Sequence, residues 1–142
     1  MKKQVSLMIA VLMFCLSFSF PYMEIKAADD VKVQQTEIQP KGQYLQSGQS
    51  SIAAAGKGKI YVSGTTNAQK VVSTVKVAVI VEQKVGSSWY HYHSWTAEKH
   101  NDYEITSGKT LTVTRGHWYR VRCVHSANTD ICGSNTGALY VK

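Results

Sequence analysis

The side chains with the most chemical capacity lie in the second half of the 142-residue chain. They are Trp89, Tyr90, Tyr92, Trp95, Tyr103, Trp118 and Tyr119, with Arg120 and Arg122 beside the last two. Aromatic rings left on a surface stack on sugar rings or anchor a protein contact. Arginine adds planar, bidentate hydrogen bonding to carboxylate or phosphate, and it stacks on aromatic faces. If 89–97 is a strand, alternation puts Trp89, His91, His93 and Trp95 on one face and Tyr90 and Tyr92 on the other. Both faces cannot be core. With Trp89 expected to pack inside, Tyr90, Tyr92 and Trp95 become candidate binding residues. Trp118, Arg120 and Arg122 join them, because they share one outward face if Tyr119 and Val121 point inward.

His91 and His93 stand two apart, so a regular strand would set both imidazoles side by side as two ligands for a zinc ion. No spacing says that His100, His117 or His125 completes such a site. The expectation is therefore a polar strand face, no metal and no cofactor. Glu98, Asp102 and Glu104 cluster around His100, but in a polar stretch where solvated charges are the default. No Gly-x-Ser-x-Gly, His-Glu-x-x-His or phosphate-cradling glycine loop occurs, which points away from an enzyme and leaves no catalytic residue to name. Cys123 and Cys132 flank the turn formers Ser126, Asn128 and Asp130. In an exported chain this pair is expected to bridge, stabilising by roughly 2–3 kcal/mol.

Export is expected from the N-terminus. Lys2 and Lys3 precede an uncharged apolar run from Val5 to Phe20, then Pro21 and a polar exit ending in Ala27-Ala28. This is the anatomy of a cleaved secretory signal over 1–27, too short for a stable membrane span. Cleavage removes Lys2, Lys3, Lys26 and Glu24 and lowers the net charge from +7 to +5. A modest positive charge outside the cell favours anionic envelope polymers. No nucleic-acid signature is visible, and no nucleic-acid partner is expected.

Residues 28–41 read as a flexible leader and 42–142 as one domain. The domain's hydrophobic period is two. Val75, Val77, Val79 and Val81 define the clearest strand, and Ile80 and Ala78 on its other face mark it as central. Further strands are expected at Ser51–Ala55, Lys59–Ser63, Trp89–Ala97, Leu111–Val113, Tyr119–Cys123 and Ala138–Val141. Turns are expected at Val85–Ser88, Asn101-Asp102 and Ser107-Gly108. About seven short strands separated by turns predict an all-β sandwich.

Leu111-x-Val113, Gly116 and Tyr119-x-Val121-x-Cys123 together resemble the E–F corner and strand F of immunoglobulin and fibronectin type III domains. The resemblance implies an immunoglobulin-like or fibronectin-like β-sandwich in which Tyr119 hydrogen-bonds back to upstream backbone. The strand-B cysteine of antibody domains is missing. Ser47 to Lys142 is also similar to small secreted proteins of Gram-positive bacteria grouped as a domain of unknown function. That similarity rests on Ser47-Gly48, Ser50-Ser51-Ile52, the Gly56–Thr66 pattern, Val81-Glu82, Trp89, Tyr119-x-Val121 and His125. It implies a secreted protein and carries no activity, catalytic residue or cofactor with it; association with the cell wall is suggested by the positive charge.

The expected function is a secreted, non-enzymatic binding module for an envelope glycan, a teichoic acid or a protein partner. The alternatives are a self-assembling extracellular or spore-associated protein without a small ligand, and a histidine-dependent metal-binding protein.

Overall fold

A computed structural model describes residues 34–38 and 42–142; the expected signal over 1–27 lies outside the described residues. The fold is all-β. Its strands are β1 (Gln34–Ile38), β2 (Leu45–Ala54), β3 (Lys59–Val85), β4 (Ser88–Thr112), β5 (His117–Ala127), β6 (Asp130–Asn135) and β7 (Leu139–Val141). All pairings are antiparallel. The order is β1-β2-β3-β5-β6, with β4 on β3 and β7 on β5.

Two strands are far longer than the sequence pattern implies: β3 has 27 residues and β4 has 25. Each serves both layers of a β-sandwich-like domain. The first half of β3 pairs with β2, while Val75–Gln83 pair with β5. Between the halves the β3–β4 register jumps, from Asn67 opposite Glu104 to Val72 opposite Asp102. The unequal numbers of residues on the two strands bend the hairpin there, as a β-bulge does. Asn101, expected in a turn, instead takes a left-handed φ of 53° at this bend. The chain does not reverse at Asn101-Asp102, nor at Ser107-Gly108, which lies within β4. The two layers meet closely. A Cβ on Gly64 would lie 2.7 Å from Val77 Cγ2 and 2.8 Å from Cys123 Sγ, so only glycine fits between them.

The expected alternation produces the core. Val75, Val77, Val79, Val81, Tyr119, Val121 and Cys123 are fully buried with Ile52, Ile60 and Val62. The tyrosine corner is present: Tyr119 Oη donates to the Thr114 carbonyl (2.7 Å) and accepts from Gln83 Nε2 (3.1 Å). The β3–β4 turn is the expected one, with Val85 opposite Ser88 and Gly86 at φ 61°.

Part of the segment read as a leader belongs to the sheet. Gln34–Ile38 form edge strand β1 along Gly48–Ile52 of β2. Main-chain hydrogen bonds hold such a strand, so its polar sequence carries little periodic signal. The start of β2 is tied to β6, because the N–H groups of Tyr44 and Leu45 donate to Asp130 Oδ2 at 2.7 and 3.1 Å. These bonds lower the Asp130 pKa.

Candidate functional site

β5 builds the site. Its inward residues are Tyr119, Val121, Cys123, His125 and Ala127, and its outward residues include Trp118, Arg120, Arg122 and Val124. Cross-strand partners share a face. Trp118 therefore stands beside Tyr140, Arg120 beside Glu82, and Arg122 beside Ile80 and Asn135. On β4, His91 is opposite Glu82 and Trp89 is opposite Lys84. The outer face thus carries an aromatic row at one end and a polar row next to it.

Trp118 and Tyr140 remain 46% and 44% exposed, with ring centroids 5.2 Å apart and planes tilted by 54°. Beside them Arg120 Nε donates to Glu82 Oε2 at 2.6 Å, and its guanidinium lies 4.4 Å above the Trp89 ring. Arg122 Nη2 lies 3.6 Å from Glu82 Oε1, beyond hydrogen-bond distance. The Glu82 side chain is only 12% exposed, whereas that of Arg122 is 52% exposed. One carboxylate thus faces two guanidinium groups, bonded closely to Arg120 and at ion-pair distance from the more exposed Arg122, and the row keeps a net positive charge.

The structure divides the candidates read from the sequence. Trp118, Arg120 and Arg122 share the outer face as expected. Tyr90, Tyr92 and Trp95 do not join them. The cause is a register shift between Val81 and Glu82: Val81 faces His93 and Glu82 faces His91, leaving Tyr92 as the extra residue. Tyr92 turns to the core and meets Tyr119 edge-on at 5.3 Å. Trp95 is half-buried against the core; its indole N–H donates to Ser107 Oγ (2.9 Å), and Lys109 covers its ring at 4.7 Å. Tyr90 pairs with Gln83 on the side of Tyr119 and is exposed there.

The same bulge corrects two other expectations. Trp89 lies under Arg120 on the outer face and not in the core. His91 and His93 point to opposite faces, so they cannot ligate one ion together. His91 Nε2 is instead hydrogen-bonded to Ser94 Oγ at 2.9 Å. The acidic cluster resolves into surface pairs: Lys76 with Glu98 at 2.6 Å, His100 with Glu98 at 2.9 Å, and Lys99 with Asp102 at 3.3 Å. The hydrogen bond from Lys76 chiefly lowers the Glu98 pKa, and backbone N–H groups lower that of Asp102.

The expected cysteine bridge is not formed; Cys123 and Cys132 are free thiols. The β5–β6 hairpin turns at Asn128-Thr129, so Cys123 faces Ser134 and Cys132 faces His125. The two cysteines are offset by two residue pairs along the ladder, with Val124 opposite Gly133 between them. Burial pushes the Cys123 thiol up to about 12 and also raises that of Cys132.

One buried polar network escaped the sequence reading. His125 is fully buried at a core position of β5. Its Nδ1 lies 2.8 Å from Thr66 Oγ1 and its Nε2 lies 2.7 Å from Ser134 Oγ. Thr66 spends its hydroxyl proton on the Lys76 carbonyl (2.9 Å), so it accepts from His125 Nδ1–H. In the neutral ring Nε2 then accepts from Ser134. Burial lowers the His125 pKa to about 4, which keeps the ring neutral. The imidazole occupies the space that a Cβ at Gly48 would need, so Gly48 and His125 require each other. Ser134 is only 2% exposed, and the network joins strands without facing solvent.

The sequence reading also missed Glu82, Tyr140 and Asn135 as members of the outer face. Alternation places each outward, since Val81, Leu139 and Ser134 point in, but only the register shows what lies beside them. The chain matches no family model, and a search of curated proteins finds no match.

Proposed function

We propose that this protein is a secreted, non-enzymatic binding module whose outer β3–β5–β7 face holds a cell-envelope glycan. The observation that carries the reading is the exposed Trp118–Tyr140 platform next to the Arg120–Glu82 pair. An aromatic surface stacks on the C–H face of a pyranose, and fixed polar side chains next to it can hydrogen-bond to hydroxyls. The carboxylate within the arginine row disfavours a purely electrostatic polyanion site. Residence at the envelope rests on the secretory signal expected over 1–27 and on the positive charge expected of the mature chain.

Assembly through sheet edges is the weaker reading. β4 pairs only with β3 among the described strands, yet it carries Lys99 and Lys109 on its inward side and two register shifts. Inward lysines and bulges are devices that discourage edge pairing.

Co-sedimentation of the mature chain with isolated Gram-positive walls tests the proposal, over a salt series and with teichoic acid present or extracted. Retention is expected to survive both high salt and extraction. Retention that disappears with either would make the protein an electrostatic polymer binder, and no retention would remove the envelope from the account.

A further inference from the structure

The outer face also carries a feature that a neutral sugar does not use. Arg122 and Asn135 are opposite each other on β5 and β6, and both are exposed. Glu82 makes its short bond to Arg120 and stands 3.6 Å from Arg122 Nη2, so Arg122, half-exposed, keeps further N–H donors for a second carboxylate. An arginine fork with an amide at its side matches the two oxygens of a carboxylate. Trp118 and Arg122 are four residues apart on one strand, or roughly 13 Å at the usual rise per residue. That span exceeds one pyranose ring.

Resting on the glycan reading above, we infer that the ligand is an acidic oligosaccharide. One ring stacks on Trp118 and Tyr140, the chain runs past Arg120 and Glu82, and a carboxylate on a later sugar is read by Arg122 and Asn135. Glu82 gives the choice of acid a physical basis. Arg120 and Arg122 both face its single carboxylate, which leaves the row one net positive charge, a match for one ligand carboxylate and not for a charge on every unit. The site thus selects a sparsely carboxylated glycan over a dense polyphosphate.

Titration calorimetry with defined probes tests this on the mature chain. The probes are a neutral β-linked glucosamine oligomer with N-acetyl groups, the same oligomer with a carboxyl-bearing ether on alternate sugars, and poly(glycerol phosphate). The carboxylated oligomer is expected to bind at least about tenfold more tightly than the neutral one, a difference of about 1.4 kcal/mol. Arg122→Gln is expected to erase that preference while the neutral oligomer still binds. Trp118→Ala is expected to abolish binding of both. Equal affinity for the neutral and carboxylated oligomers would overturn the inference and leave the glycan reading standing. Tighter binding of poly(glycerol phosphate) would overturn the carboxylate assignment. Binding of none of the three would sink both.

Discussion

Mild acid is expected to destabilise this domain through His125. The group is fully buried, and its pKa falls from an ordinary 6.5 to about 4 in the folded chain. Between those values the unfolded state holds more protons than the folded state, so stability falls as pH falls. The full loss, reached below the folded value, is about 3 kcal/mol, because each pKa unit is worth about 1.4 kcal/mol. At about pH 5 the same relation gives a loss of about 2 kcal/mol. The carboxylates with lowered pKa values, Glu98, Asp102 and Asp130, lose their contributions only below the ordinary carboxylate range, so the interval from about pH 7 to 5 isolates the histidine. Urea unfolding at both ends of that interval measures it. With ordinary denaturant slopes the midpoint should drop by on the order of 1 M. His125→Gln should be less stable at neutral pH, since it breaks the Thr66 and Ser134 contacts, and should lose this acid sensitivity. An unchanged midpoint across the interval, or the same slope in His125→Gln, would refute the reasoning.

Three further outcomes follow from the packing. Tyr119→Phe removes the donor to the Thr114 carbonyl and is expected to cost about 1 kcal/mol in urea unfolding; no change would mean that the corner bond contributes nothing. Gly48→Ala drives a methyl group into the His125 ring and should cost about 1–3 kcal/mol, whereas Ser51→Ala, on the opposite face of β2 from Ser50 and Ile52, should cost far less. In the mature chain, which lacks Cys15, Cys123 and Cys132 should titrate as two thiols after denaturation and react slowly when folded, where burial raises both pKa values. A chain lacking titratable thiols would contradict the β5–β6 register.

Much of the core was legible because it depends on strict alternation. The Val75–Val81 run, the inward Tyr119 and Val121, and the outward Trp118, Arg120 and Arg122 all follow from a period of two. What was not legible depends on register. One extra residue at Tyr92 exchanges the faces of Trp89 and His91 relative to Trp95 and His93, and no residue type announces it. Asn101-Asp102 has turn chemistry, but here it bends a strand between layers without reversing it. β1 is held by backbone bonds, so its side chains give little sign of it. The cysteine pairing failed for the same reason: a hairpin at Asn128-Thr129 sets which residues face each other, and it offsets the two sulfurs. His125 at a core position was a visible anomaly, yet its partners Thr66 and Ser134 come from two other strands.

The most direct measurement of the central claim is wall co-sedimentation of the native chain against Trp118→Ala/Tyr140→Ala at high salt, where the Debye length falls to about 3 Å at 1 M. The two rings are half-buried against each other across β5 and β7, and such a pair contributes roughly 0.5–1.5 kcal/mol, so both proteins are compared at a temperature below the double variant's unfolding midpoint. The account predicts that the native chain stays with the wall and the double variant remains in solution. Equal retention of the two proteins would contradict it, because binding would then not pass through the Trp118–Tyr140 face.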